Sequence, residues 1–203
     1  KSAINQNFNE PYEILIIDDW FDTKISDEVN SFLIELNNSK IKYIKNEKNL
    51  GMFENWNKCI KESAGQYVTL LNDDDELAQN FLQTAKNYLD GKKLIIFSFF
   101  TIGNKNKKKN FVYYLKNILF LLSLEKPKKI RLINFLFRNP SNGSLGVIFS
   151  KKSALEIGGY RPNYFPTSDY FFNLKYVINH GGIFIKRKLA YYRFQNNVSL
   201  KDH

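Results

Sequence analysis

A single cysteine, Cys59, is all this sequence offers for thiol chemistry. It excludes an internal disulfide and any Cys-rich zinc site, and it is compatible with a reducing compartment. No uninterrupted apolar stretch reaches the length of a membrane-spanning helix. There is no internal repeat, no Gly-rich phosphate loop near the start and no nucleic-acid-binding motif. No secretory signal peptide is visible. The chain opens abruptly at Lys1-Ser2-Ala3, so we expect further residues upstream.

The 203 residues suit one domain, and 43% hydrophobic content is enough for a real core and excludes wholesale disorder. Aromatics crowd the second half, where they serve either a core or a pocket for a sugar or a base. The 30 Lys and Arg residues outweigh 20 Asp and Glu, a net charge of +10. That favours anionic partners (nucleotides, nucleic acid, acidic lipid head groups) and equally well serves solubility.

Strand-like and helix-like segments alternate in the first half. Residues 13–18 form a short apolar run ending in acids, which predicts a buried strand. Val29, Phe32, Leu33 and Leu36 recur at helical spacing within residues 27–36. A strand over 41–45 precedes a helix marked by Phe53, Trp56 and Ile60, which stops near Gly65. A strand at 67–71, a helix at 79–89 and a strand at 94–100 follow. The pattern predicts an α/β fold, a mainly parallel sheet flanked by helices. A Lys- and Asn-rich loop at 104–110 interrupts it. Beyond two apolar, basic segments at 111–124 and 127–137, strands are expected at 146–149, 183–186 and 189–194, with helices at 152–157 and 169–178. Residues 2–8 read as the end of a first helix.

Four places carry chemistry. Asn72-Asp73-Asp74-Asp75-Glu76 follows a strand directly. Adjacent carboxylates repel unless a cation sits among them, and carboxylate oxygens are preferred ligands of magnesium and manganese. The same acids also suit a helix cap. Asp18-Asp19 follows another strand, where a carboxylate can accept hydrogen bonds from a ribose or a base, or simply close a turn. Asn49-Leu50-Gly51 opens the helix that carries Asn55, an ordinary turn or a close backbone approach to a negative ligand. Asp169, after Thr167-Ser168, starts a helix as a cap or faces a pocket as a general base.

Taken in order, these pieces resemble the family 2 glycosyltransferases of the GT-A fold. The motifs are Glu13-Ile14-Leu15-Ile16-Ile17-Asp18-Asp19, Asn49-Leu50-Gly51, Gly65-Gln66-Tyr67-Val68-Thr69-Leu70-Leu71-Asn72-Asp73-Asp74-Asp75, Gly158-Gly159-Tyr160, Ser168-Asp169-Tyr170 and Tyr191-Tyr192-Arg193. The resemblance spans nearly the whole chain. It implies a donor-binding half at 1–103, short of its first strand, and an acceptor-side half at 104–203, within one catalytic domain. It implies that Asp18, Asp19, Asn49, Gly51, Asn55, Asp73 and Gln195 contact the nucleotide-sugar. It further implies that Asp74, supported by Asp75, holds Mn2+ or Mg2+, and that Asp169 is the catalytic base of an inverting displacement. The expected donor is a nucleotide diphosphate sugar. The expected acceptor is a saccharide or lipid-linked saccharide in bacterial-type surface glycan synthesis.

Three departures stand out: the missing first strand, Asn72 in place of an Asp, and Gln195 where many members carry a His. Residues 111–137 combine apolar side chains with Lys116, Lys126, Lys128, Lys129, Arg131 and the adjacent Arg138. Such a segment either shapes the acceptor cleft or lies on an anionic membrane; the expected location is cytoplasmic, and in the second case peripheral at the inner membrane face. No nucleic acid is expected as a partner. A non-catalytic basic binding module is the competing expectation, and a nucleotidyltransferase the weaker third.

Overall fold

The computed structural model describes residues 1–19, 22–89, 91–102, 126–137, 139–141 and 143–193. The loop at 104–110, the segment at 111–124, Arg138 and Gln195 lie outside the described residues. The strands are β1 Ile14–Asp18, β2 Ile41–Lys45, β3 Tyr67–Thr69, β4 Glu76–Leu77, β5 Leu94–Ile102, β6 Lys128–Lys129, β7 Val147–Ser150 and β8 Gly182–Arg193. The helices are α1 Thr23–Leu36, α2 Met52–Glu62, α3 Phe81–Lys86, α4 Leu132–Phe137, α5 Lys151–Glu156 and α6 Ser168–His180.

β1 and β2 pair in parallel as a small sheet. The larger sheet runs β3-β7-β5-β8-β4, with β6 added to β8. β5 and β8 are parallel, whereas β7 lies antiparallel between β3 and β5. The pairing is therefore mixed, because a strand from the second half inserts between two strands of the first.

The apolar runs of β5 and β7 are explained by burial on both faces. Leu94 and Ile96, with Val147 and Phe149, face a core built with Phe53, Ile60, Phe172 and Tyr176. Ile95, Phe97 and Ile148 face a second core with Phe81, Ala85 and Ile185. Side chains alternate across a strand, so continuous apolar sequence is required when both sides are covered.

Residues 183–186 and 189–193 belong to one strand, β8, and not two, while residue 194 lies outside the described residues. The register jumps from Phe97↔Ile185 to Ser98↔Lys188, so the basic break in the sequence marks a bulge. Residues 2–5 form a single turn, with Ile4 and Asn5 N–H both donating to the Lys1 carbonyl. Gln6 ties that turn to the rest by donating to the Ala78 carbonyl and accepting from Leu82 N–H.

Candidate active site

Strand direction decides where the acids end up. Asp19, just past the carboxyl end of β1, accepts from the N–H of Leu50 (2.7 Å) and of Gly51 (2.9 Å), at the start of α2. Glu13, at the amino end of β1, accepts from the N–H of Gly65 (3.1 Å), past the end of α2. So α2 runs antiparallel to β1. β3 turns back along it and leaves residues 70–75 at the same end as Asp18 and Asp19. β7 lies antiparallel to β3 with Thr69 opposite Ile148, which brings residues 143–146 beside that end. The carboxyl end of β8 arrives there too, since Arg193 N–H donates to Asp75 Oδ1 (3.1 Å).

Asp169 joins the cluster through the loop preceding β7. A Cβ on Gly143 would sit 4.0 Å from Asp169 Oδ2. Acids from three distant stretches of sequence thus meet at one end of the fold.

Their surroundings differ. Tyr43 Oη donates to Asp18 Oδ2 (2.7 Å), and burial, reinforced by that carboxylate, pushes the Tyr43 hydroxyl up to about 12. Asp19 takes a third donor from Asn46 Nδ2 (2.7 Å). Asn46 is held in turn by Lys58 Nζ (2.7 Å) and donates to Asn55 Oδ1 (3.0 Å). Asn55 Nδ2 donates to the Ile17 carbonyl (3.1 Å). Asn49 Oδ1 accepts from Gly51 N–H (2.9 Å), and Gly51 has φ +79°, a conformation a side chain would strain. Asp19, Asn49, Gly51 and Asn55 therefore build the turn at the head of α2.

The three consecutive aspartates divide the same way. Asp75 is buried and engaged by Arg193 N–H and by Asn72 Nδ2 (3.4 Å), while burial raises its carboxyl above the usual range. The neighbouring Glu76 pairs with the Arg193 guanidinium. Asp73 is exposed and Asp74 half-buried, and neither bonds another described side chain. Among the described residues no group of three or more His, Cys, Asp or Glu side chains is arranged to hold a metal ion. Two unengaged carboxylates do fit a hard cation that takes its other ligands from phosphates and water.

Asp169 sits in the first turn of α6 and is half-buried. Burial raises its carboxyl, and the N–H groups of Tyr170 and of Asp169 itself, with Asn139, pull it back down. Ser168 is buried and its Oγ accepts from Arg161 N–H (2.8 Å). The Tyr160 ring stacks on Phe172 at 4.1 Å between centroids. Asn46, Asn57, Asn139, Ser141 and Asn173 were not foreseen from sequence. The available signal was an Asn recurring inside otherwise apolar or turn segments.

An α/β sheet with carboxylates gathered at its strand ends is the setting in which the comparisons with known proteins fall. The sequence model of glycosyl transferase family 2 matches residues 1–195, and the chain belongs to that family. WcaA of Escherichia coli (strain K12), whose name assigns it to colanic acid biosynthesis as a glycosyl transferase, is 29% identical over 104 residues, 51% of this chain and 35% of WcaA. S. aureus TarS 1-349 in complex with UDP-GlcNAc superposes with a TM-score of 0.75 at 14% identity, over 100% of this chain and 55% of TarS 1-349. GalNAc-T7 with UDP, GalNAc and Mn2+ gives 0.66 at 14% identity, over 96% of this chain and 40% of GalNAc-T7. The fold is GT-A, and the chain spans about a third to a half of these proteins' lengths.

Proposed function

We propose that this chain is the catalytic domain of an inverting glycosyltransferase that takes its sugar from a nucleotide diphosphate donor. Residues 1–103 form the donor side and 104–203 the acceptor side. The observation that carries this reading is the convergence of Asp18-Asp19, Asp73-Asp74 and Asp169 at one end of the fold. Asp74, with Asp73, would hold Mn2+ or Mg2+ shared with the diphosphate. When bound, the cation offsets charge on the departing diphosphate. Asp75 secures the loop, and Asp18 and the Asp19-braced turn bind the nucleoside end. Asp169 accepts the proton of an acceptor hydroxyl as that oxygen attacks the anomeric carbon and the bond to the diphosphate breaks. Burial suits the task, because it lifts the carboxyl toward the working pH.

The relatives' names support a surface-polysaccharide acceptor and a UDP-sugar donor such as UDP-GlcNAc. The test is transfer and donor hydrolysis with Mn2+ across a panel of nucleotide-sugars, for wild type and Asp74→Ala. Equal turnover in the two proteins would overturn the metal assignment. A chain that binds anionic partners but no nucleotide-sugar would be the non-catalytic module instead.

The acceptor side also presents a surface suited to anionic lipid. Leu132, Ile133 and Leu136 on α4 are 53%, 52% and 79% exposed, while Ile130 and Phe135 point into the core. Lys126, Lys128, Lys129 and Arg131 are exposed beside them, and residues 126–137 contain no carboxylate. A helix apolar on both sides with a basic rim fits the head-group boundary. The Tyr170 hydroxyl, next to Asp169, donates to the Phe135 carbonyl (2.9 Å), so docking there would bring a lipid-linked acceptor near the base. Co-sedimentation with phosphatidylglycerol vesicles, lost in Lys128→Glu/Lys129→Glu, is the expected result, in keeping with a location at the inner membrane face. Binding to nucleic acid and not to vesicles would reverse it.

A further inference from the structure

The polar side chains behind Asp19 form a one-way series of hydrogen bonds. It starts inside α2 and ends at the turn that heads the same helix. Lys58 Nζ donates to Asn46 Oδ1 (2.7 Å). Asn46 Nδ2 donates to Asp19 Oδ1 (2.7 Å) and to Asn55 Oδ1 (3.0 Å). Asp19 also accepts from the N–H groups of Leu50 (2.7 Å) and Gly51 (2.9 Å). Asn46 is 6% exposed, so water does not readily replace these partners.

The direction of the series is fixed from its ends. An amide side chain can flip, but an ammonium only donates, and a carboxylate or a carbonyl only accepts. Lys58 therefore makes the atom it meets Oδ1 of Asn46. That leaves Nδ2 for Asp19, and the carboxylate demands the same orientation. Asn55 Nδ2 is committed to the Ile17 carbonyl (3.1 Å), which leaves its Oδ1 for Asn46. The Asn46 backbone is pinned as well, since its N–H donates to the Asp18 carbonyl (2.9 Å). Both protons of Nδ2 are thus used, one on Asp19 and one on α2. An ionised carboxylate offers about four acceptor positions. On Asp19 two bonds fall on Oδ1 and one on Oδ2. The position left on Oδ2 suits a hydroxyl or N–H donor of a ligand.

We propose that Asn46 is the positioning residue of the Asp19 carboxylate, kept in its orientation by Lys58, and that the two set the affinity for the nucleoside of the donor through Asp19. Among the described residues Lys58 forms no ion pair, so its link to the acids passes through the Asn46 amide. This inference rests on the reading that Asp19 and its turn meet the nucleoside.

The test is isothermal titration with UDP, GDP, CDP and dTDP in the presence of Mn2+, with amide hydrogen exchange at Leu50 and Gly51 as a second readout. For the nucleotide that wild type binds tightest, Asn46→Ala is expected to lose about tenfold in affinity, the effect of one hydrogen bond to a charged group. Exchange at Leu50 and Gly51 accelerates. With the matching nucleotide-sugar, the donor KM rises while kcat at saturating donor is unchanged. Asn46→Asp separates positioning from packing. It keeps the shape and the acceptor for Lys58 but sets a second carboxylate against Asp19, so it binds no better than Asn46→Ala. Lys58→Met weakens binding less, and has no effect in the Asn46→Ala background. Unchanged affinity in Asn46→Ala, wild-type affinity in Asn46→Asp, or independent losses from Lys58→Met overturns the proposal. Should Asn46→Ala fail to fold, unchanged affinity in Lys58→Met serves the same purpose. A wild-type chain that binds none of the four nucleotides would sink the nucleoside reading of the turn, and this inference with it.

Discussion

Asn57 closes on the backbone of Tyr160 with both ends of its amide. Nδ2 donates to the Tyr160 carbonyl and Oδ1 accepts from its N–H, each at 2.8 Å. The partners are 103 residues apart, and the clamp joins α2 to the turn that leads to Asp169. Gly159 makes the approach possible. It has φ +67°, and a Cβ there would lie 2.4 Å from Asn57 Oδ1. Gly159→Ala is therefore expected to destabilise the fold by about 1–3 kcal/mol, from backbone strain and the clash together. In an Asn57→Ala background the same change costs less, because the clash is gone. Urea unfolding of the four proteins checks this, and strictly additive losses would refute the contact as the cause.

The consecutive aspartates should separate by phenotype. Asp74→Ala is expected to lower metal-dependent donor turnover on the order of 100-fold or more with stability unchanged, as loss of charge stabilisation on a leaving group does. Asp75→Ala does the reverse. It leaves the Arg193 N–H without its acceptor in a part-buried place and costs about 1–3 kcal/mol. Isothermal titration with Mn2+ and a nucleoside diphosphate, alongside thermal unfolding, distinguishes the two.

Much of this arrangement was legible in sequence, for identifiable reasons. The strand at 41–45 and the helix bearing Phe53, Trp56 and Ile60 were found because apolar spacing and flanking turns agree there. The order of the acidic motifs pointed to the family. The sheet's mixed pairing was not legible, since β7 owes its place between β3 and β5 to contacts distant in sequence. Nor was the division of labour among the acids. Asp73, Asp74 and Asp75 look alike as letters, and the bond that sets Asp75 apart comes from the Arg193 backbone, 118 positions away. The bond from Asn173 Nδ2 to Ser141 Oγ was invisible because the loop before β7 and α6 meet only in the fold.

Asp169 should exact a cost in stability that its amide does not. Burial lifts its folded carboxyl above the ordinary value, so on acidification the folded state takes up the proton before the unfolded chain does. This group's contribution therefore favours folding increasingly as pH falls through the raised folded value toward the ordinary one. At neutral pH the buried charge disfavours the fold. Asp169→Asn is expected to unfold at higher temperature than wild type at pH 7, with the gap closing in acid. Its transfer activity falls by about 10²–10⁴-fold while donor binding stays. Asp75 titrates in the same direction in both proteins, so the difference between them isolates Asp169. A gap that widens on acidification would contradict the assignment.

Asp18 and Asp19 are adjacent, and Asp19 holds the turn at the head of α2. Asp19 receives the N–H groups of Leu50 and Gly51 together with the Asn46 amide, whereas Asp18 receives the Tyr43 hydroxyl. Replacing Asp19 by Asn converts one of two acceptor oxygens into a donor, which must then face a donor. The loss is about 1–3 kcal/mol and should be local, because the remaining bonds of β1 and α2 are untouched. Amide hydrogen exchange at Leu50 and Gly51 should accelerate in Asp19→Asn and stay as in wild type in Asp18→Asn. Since this turn is proposed to meet the nucleoside, nucleotide affinity should fall in step with the loss of protection. Faster exchange with unchanged affinity would mean that the turn braces the fold and touches no donor.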